Sequence, residues 1–128
     1  MSGNNSFYAE FSIKKQLRRD WPALLLLAAS LVVAIAVYPQ LPDQIPGHWN
    51  FRGEVDRYTS RAFGAFGFPL ITMGLYILMV VVPYLDPKRD NYLKFSEVYQ
   101  VLKVTLICFL VGLHMTVLAA ALGYPLPV

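Results

Sequence analysis

Three long apolar runs divide the chain, and the polar residues are gathered between and before them. Residues 21–38, 62–85 and 98–123 are each close to the roughly 20 residues that a helix needs to cross a bilayer core, and they are almost free of charge. The pattern predicts an all-α membrane protein with three transmembrane helices, one domain over residues 21–128 preceded by a separate segment, 1–20. Asp20-Trp21-Pro22 reads as the start of the first helix: Asp20 as N-cap, Pro22 in the first turn, Trp21 at headgroup level. Ala34-Ile35-Ala36 imitates a signal-peptidase site, but the apolar run reaches Ala34 with no polar region before it, so a retained span is expected. Pro69 should kink the second helix or end a short first turn. Pro87 stops that helix, residues 86–91 turn, and the amphipathic stretch 92–100 begins the third helix at the membrane surface.

The segments outside the runs differ in kind. Residues 1–6 are small and polar, and a frayed start is expected. In residues 7–19 apolar Phe7, Phe11 and Leu17 alternate with Lys14, Lys15, Arg18 and Arg19, which predicts a short interfacial helix with its basic residues toward lipid headgroups, or else a solvated basic tail. Residues 39–61 form a Pro-rich loop. Pro39, Pro42 and Pro46 each fix φ and remove a donor, so neither a helix nor a central strand is expected there. Yet the loop also holds Leu41, Ile45, Trp49, Phe51, Val55 and Tyr58. A solvated tether would not carry them, and an ordered loop whose Trp49 and Phe51 pack on the helix ends is expected. Gly53 should supply a positive φ at a turn.

Composition sharpens this picture. Of 128 residues, 56% are hydrophobic and 15% charged, where a soluble domain averages about a quarter charged. The formal charge of +3 comes from basic residues flanking apolar runs, which orient a membrane protein and do not form the basic stripe of a nucleic-acid binder. Lys14, Lys15, Arg18 and Arg19 precede the first span, and Lys88, Arg89 and Lys94 lie between the second and third. The loop has Arg52, Arg57 and Arg61. The N-terminus and second connection are thus expected on the cytoplasmic side of the inner membrane, with loop 39–61 and the C-terminus outside. The single cysteine, Cys108, lies within the third apolar run and excludes an intrachain disulfide.

Candidate chemistry is sparse. His48 with Asp43, Glu54 or Asp56 offers only a weak metal set, and a histidine bonded to carbonyls freed by the prolines is the better reading. Asn50 reads as a turn residue whose side chain bonds nearby backbone; Asp56 has Arg57 and Arg61 as available partners, though an exposed pair would contribute little. His114 falls inside the third span, where an ionisable group suggests function by default, although a neutral imidazole bonded to Thr72, Tyr76 or a backbone carbonyl explains it structurally. Lys103 reads as an anchor snorkelling toward the headgroups, guided by Tyr99. No nucleophile elbow, zincin helix or phosphate loop is present, so neither catalysis nor a cofactor or metal is expected. Small residues recur on three edges: Ser30/Ala34, Gly64/Gly67/Gly74 and Gly112/Thr116/Ala120, more than three helices need for one another.

In LPDQIPGHWNFRGEVDRY, residues 41–58, the residues Leu41-Pro42, Ile45-Pro46, His48-Trp49-Asn50, Gly53, Asp56 and Tyr58 stand in order after a span ending in Tyr38-Pro39. This stretch resembles a family of bacterial and archaeal membrane domains of unknown function that forms the N-terminal part of SdpI-type immunity proteins. The resemblance implies a membrane fold and protection against a secreted peptide toxin. That family continues into a second module with a Gly-Arg-Thr and Trp-containing motif, and no counterpart to it is expected here. Two functional classes follow. One is a non-catalytic accessory subunit packed against a larger membrane complex through Gly112 and Thr116 and docked by the loop residues Pro42, His48, Trp49, Asn50, Phe51, Gly53 and Asp56. The other is an SdpI-like sensor or immunity protein whose loop binds a peptide or toxin, with a transporter component as a third reading. The expected partners are lipid, other membrane subunits and a peptide at the loop, with no nucleic acid.

Overall fold

A computed structural model describes residues 2–123. The elements in order are α1 (Ser2–Glu10), α2 (Ile13–Arg19), α3 (Trp21–Val37), β1 (Gln44–Trp49), β2 (Val55–Ser60), α4 (Phe68–Leu85) and α5 (Ser96–Ala121). A 3₁₀ turn, Tyr38–Gln40, ends α3; a π-helical turn, Phe63–Gly67, leads into α4; a 3₁₀ turn, Arg89–Phe95, leads into α5. Counted with these turns, three helices are long and apolar enough to cross a membrane: Trp21–Gln40, Phe63–Leu85 and Arg89–Ala121. They pack against one another in all three pairings. The expected tail at 124–128, and with it the C-terminus, lies outside the described residues.

The core has two levels. At one end of the bundle Ala23 and Leu27 of α3 meet Tyr76 and Val80 of α4 and Ile107 and Val111 of α5. At the other, Ala34 meets Val117 and Leu118, together with Leu41, Ile45 and Ala65 from the connection between α3 and α4. Ser30 and Ala34 are buried, so their small-residue edge serves the bundle itself. Within lipid such close packing replaces the hydrophobic drive that water would supply.

The Pro-rich segment is not a loop throughout. It forms an antiparallel β-hairpin, which corrects the expectation of a purely α-helical chain. The register pairs Gln44 with Ser60, Ile45 with Thr59, Pro46 with Tyr58, His48 with Arg57 and Trp49 with Val55, with irregularities on either side of His48. Both strands of a two-stranded sheet are edge strands, and an edge tolerates the missing Pro46 donor that a central strand would not. Asn50 closes the turn as its residue type predicts: its Oδ1 accepts from the Arg52 N–H at 2.9 Å and the Glu54 N–H at 3.0 Å. Gly53 has φ 76°, the left-handed conformation expected of it. Gly53→Val should cost about 1–3 kcal/mol of local stability, read as faster amide exchange across residues 50–54; unchanged exchange there would show that the turn tolerates a β-branched residue.

The prolines in the helices set up tertiary contacts. Pro69 has no N–H to give the carbonyl of Ala65 four residues earlier, and the π-helical turn lies just there. Pro83 likewise leaves the Met79 carbonyl without its helical donor, and the Tyr99 hydroxyl donates to it. Tyr99 thus ties α5 to α4, and it does not guide Lys103 toward headgroups.

At the N-terminus two helices replace the single helix expected, and α1 begins at Ser2 where fraying was expected. Ser12 caps α2 by accepting from the Lys15 N–H at 3.1 Å. Phe7 and Phe11 are fully buried, in ring contact with Tyr84, Tyr92 and Tyr99. The apolar side of this segment is therefore used within the protein, while Lys14, Lys15 and Arg18 stay exposed. Glu10 accepts from Lys15 Nζ at 2.8 Å and Arg19 Nη1 at 3.1 Å. The Lys15 hydrogen bond, against a smaller opposing cost of burial, holds the Glu10 carboxyl below its usual value. This tie is in force at neutral pH and is lost as pH falls through that lowered value.

Candidate functional site

A buried polar cluster lies where α2 and the start of α3 meet α4 and α5. Gln16 and Asp20 are four residues apart, one helical turn, and so share a face. Lys103 and Gln100 likewise share one face of α5. Lys103 Nζ stands 2.9 Å from Asp20 Oδ2 and donates to Gln16 Oε1 at 2.7 Å. The Tyr76 hydroxyl donates to the same Asp20 Oδ2 at 2.8 Å. Gln16 completes its amide by donating Nε2 to the carbonyls of Phe11, at 2.9 Å, and Val80, at 3.4 Å.

Lys103 is 0% exposed and Asp20 1%. This corrects two expectations. Lys103 does not snorkel to the headgroups, because an anionic partner and an amide acceptor are within reach inside the bundle. Asp20 occupies the N-cap position of α3, but its side chain turns inward to Lys103 and Tyr76 and does not cap the helix. A charge at this depth is tolerated only when paired, and this pairing joins three helices at one point. Asp20 and Lys103 each had a local explanation in the sequence, so the pair was missed. The available signal was the repetition of polar residues at helical spacing beside apolar runs, Gln16/Asp20 and Gln100/Lys103, with Tyr76 as a third polar group in the facing span.

The cluster opens on a cleft of about 250 Å³ lined by Arg19, Asp20, Gln100, Val101, Val104 and Thr105. Gln100 is 4% exposed, and neither of its amide atoms has a hydrogen-bond partner among the described residues; nor has Asp20 Oδ1. Arg19 borders the cleft, with its guanidinium held by Glu10 and by Glu97 at 3.2 Å.

The second polar feature is His114, also buried. Its ring stacks on Phe68, with centroids 5.4 Å apart and planes 15° apart. Neither nitrogen makes a hydrogen bond among the described residues; the ring lies against the Gly64 and Ala65 backbone of the π-helical turn, outside hydrogen-bond geometry. The expected bonds to Thr72 or Tyr76 are absent among the described residues, and Tyr76 is committed to Asp20.

The hairpin residues separate from both. His48 Nδ1 is 2.6 Å from Asp56 Oδ1 across the strands, on an exposed face. It bonds a carboxylate and not a freed carbonyl. Asp56 therefore pairs with His48, and Arg61 with Asp43, which separates Asp43 from the set proposed for a metal. Trp49 packs partly buried against the Ile45 level of the core, as expected. Phe51 does not: it is 111% exposed at the hairpin tip, because the Asn50 turn projects it away from the helix ends. Pro42 is exposed.

Gly112 and Thr116 lie on the outer surface of α5. A Cβ added at Gly112 would meet no described atom within 4 Å, and the same holds at Gly74. The Thr116 hydroxyl donates to the Gly112 carbonyl at 2.9 Å, so this polar side chain is satisfied without a neighbour.

These features define a three-helix membrane-type bundle with a β-hairpin at one end and a buried ion pair at the other. Residues 25–73 match a family described as a domain of unknown function, DUF1648. The match takes in most of α3, the whole hairpin, the π-helical turn and the start of α4, and includes the motif residues 41–58. No curated protein and no solved structure matches the chain.

Proposed function

We propose that this chain is a non-catalytic, multi-pass membrane protein that works through protein–protein contacts, as a subunit packed against a larger membrane assembly. The observation that supports this reading is the Gly112/Thr116 edge: a close-packing surface on α5 that the bundle itself leaves unused. In this reading the N-terminal helices lie at the cytoplasmic interface of the inner membrane and the hairpin outside, an orientation that the Lys/Arg distribution supports. Phe51, free at the hairpin tip, adds an apolar contact from the aqueous side.

The test is copurification from native membranes. Gly112→Leu with Thr116→Leu should release a stoichiometric partner while the isolated chain stays folded, since neither site touches the core. Phe51→Ser should weaken the same association; Trp49 is the poorer probe because its ring belongs to the core. Wild-type recovery of every partner by both variants would remove the subunit reading. Orientation is checked separately with Glu54→Cys and Arg89→Cys in a Cys108→Ala background: an impermeant thiol reagent on intact cells should label position 54 and not 89.

A second reading is favoured by one specific feature. The hairpin has two strand edges and an exposed aromatic tip, the geometry that adds an extended peptide as a third strand. In that reading the chain is an SdpI-like sensor or immunity protein, and the partner is a peptide on the outer side.

A further inference from the structure

We propose that the cleft between the start of α3 and α5 holds the headgroup of a phospholipid whose head carries both a phosphate and a primary ammonium. Buried polar groups without partners are rare because each costs desolvation with nothing returned. Here three such atoms belong to one cleft: Asp20 Oδ1 and both amide atoms of Gln100. They set the chemistry of what would satisfy them. Asp20 Oδ1 and the Gln100 carbonyl oxygen accept hydrogen bonds, and the Gln100 nitrogen donates. A primary ammonium supplies three donors for the two acceptors, and a phosphate oxygen accepts from Gln100 and from Arg19.

The charge balance selects a zwitterion. The exposed Lys14, Lys15 and Arg18 border a separate groove. In the cleft itself the two charged lining residues, Arg19 and Asp20, cancel, each already ion-paired, Arg19 with Glu10 and Glu97 and Asp20 with Lys103. A net anion would find no surplus positive charge there, and a quaternary ammonium has no N–H to give. The cleft wall also suits an amphiphile. Its charged residues lie at the α3 N-terminus beside the exposed Trp21, the position of the headgroup layer. Val101, Val104 and Thr105 continue from Gln100 along α5, offering a surface for the first part of an acyl chain.

The experiment uses the full chain in a neutral detergent, titrated with didecanoyl phosphatidylethanolamine, with phosphatidylcholine and phosphatidylglycerol of the same chains, and with free phosphoethanolamine. Bound adducts are counted by native mass spectrometry. The ethanolamine lipid should be retained about tenfold more tightly than the choline lipid, the scale of a charge-assisted hydrogen bond, and more tightly than the glycerol lipid. Free phosphoethanolamine should bind more weakly than the lipid; equal binding would overturn the assignment to a lipid. Gln100→Leu, similar in volume, should abolish the preference while keeping the thermal midpoint in lipid-free detergent at or above that of the wild type. Thr105→Trp, on the exposed wall, should weaken the ethanolamine lipid without touching the buried pair. Equal retention of ethanolamine and choline lipids, tighter binding of the glycerol lipid, an undiminished preference in Gln100→Leu, or undiminished binding of the ethanolamine lipid in Thr105→Trp would overturn the proposal.

Discussion

Lys103→Met should destabilise the folded chain by about 3–5 kcal/mol, the usual result of removing one partner from a buried ion pair. The loss arises less from the missing attraction than from what stays behind. Asp20 would be left buried with only the Tyr76 hydroxyl on its carboxylate, and Gln16 would lose the donor to its Oε1. Asp20→Asn alone should also be costly, because it leaves the ammonium without its counter-charge. The double variant Asp20→Asn with Lys103→Met should recover most of the loss, since no uncompensated charge then remains. The measurement is reversible unfolding in mixed micelles, with the coupling taken from the double-mutant cycle. If Lys103→Met were as stable as the wild type, its side chain would be free to reach the headgroups and the buried pair would hold nothing together. If the two single losses simply added in the double variant, the groups would not be interacting.

Much of the frame was legible because membrane spanning is written in composition and run length, which act locally. The three apolar runs required no knowledge of the fold, and Asn50 and Gly53 disclosed the turn through the backbone preferences of their own residue types. The strands flanking that turn were hidden by Pro46. A proline argues against a strand, and only the fact that this sheet has no central strand makes it acceptable. Phe51 was misjudged for a related reason: an aromatic residue in an apolar loop argues for burial, but the direction in which a tight turn projects it depends on geometry that composition does not encode. The polar cluster was hidden most completely. Asp20 and Lys103 lie far apart in the chain, and each sits where a local role is available, one at a helix start and the other near a membrane surface. Only their convergence on Tyr76 and Gln16 shows that neither takes its local role.

The largest effect at the opposite end of the bundle should come from Gly64→Ala. A Cβ at this position would stand 2.8 Å from Cδ1 and Cγ2 of Ile45 and 2.9 Å from its Cβ. The first two atoms could move by a change of rotamer. The Ile45 Cβ cannot, because it is fixed to strand β1, so the hairpin itself must lift from the π-helical turn. Ile45 is fully buried with Leu41, Ala34, Ala65, Val117 and Leu118, and its transfer from water contributes roughly 1.5–3 kcal/mol to docking. Overpacking of this kind costs about 1–3 kcal/mol. Gly64→Val, with two further methyl groups, should exceed the docking term and free the hairpin. Hydrogen exchange should then rise throughout Gln44–Trp49 and Val55–Ser60 while α3, α4 and α5 keep their protection, because the hairpin opens as its own unit. Adding Ile45→Ala to Gly64→Ala removes the Cδ1 and Cγ2 contacts and should restore part of the lost protection. Wild-type protection of β1 in Gly64→Val would mean that the hairpin is held by Trp49 and the Asp43–Arg61 pair and not by Ile45.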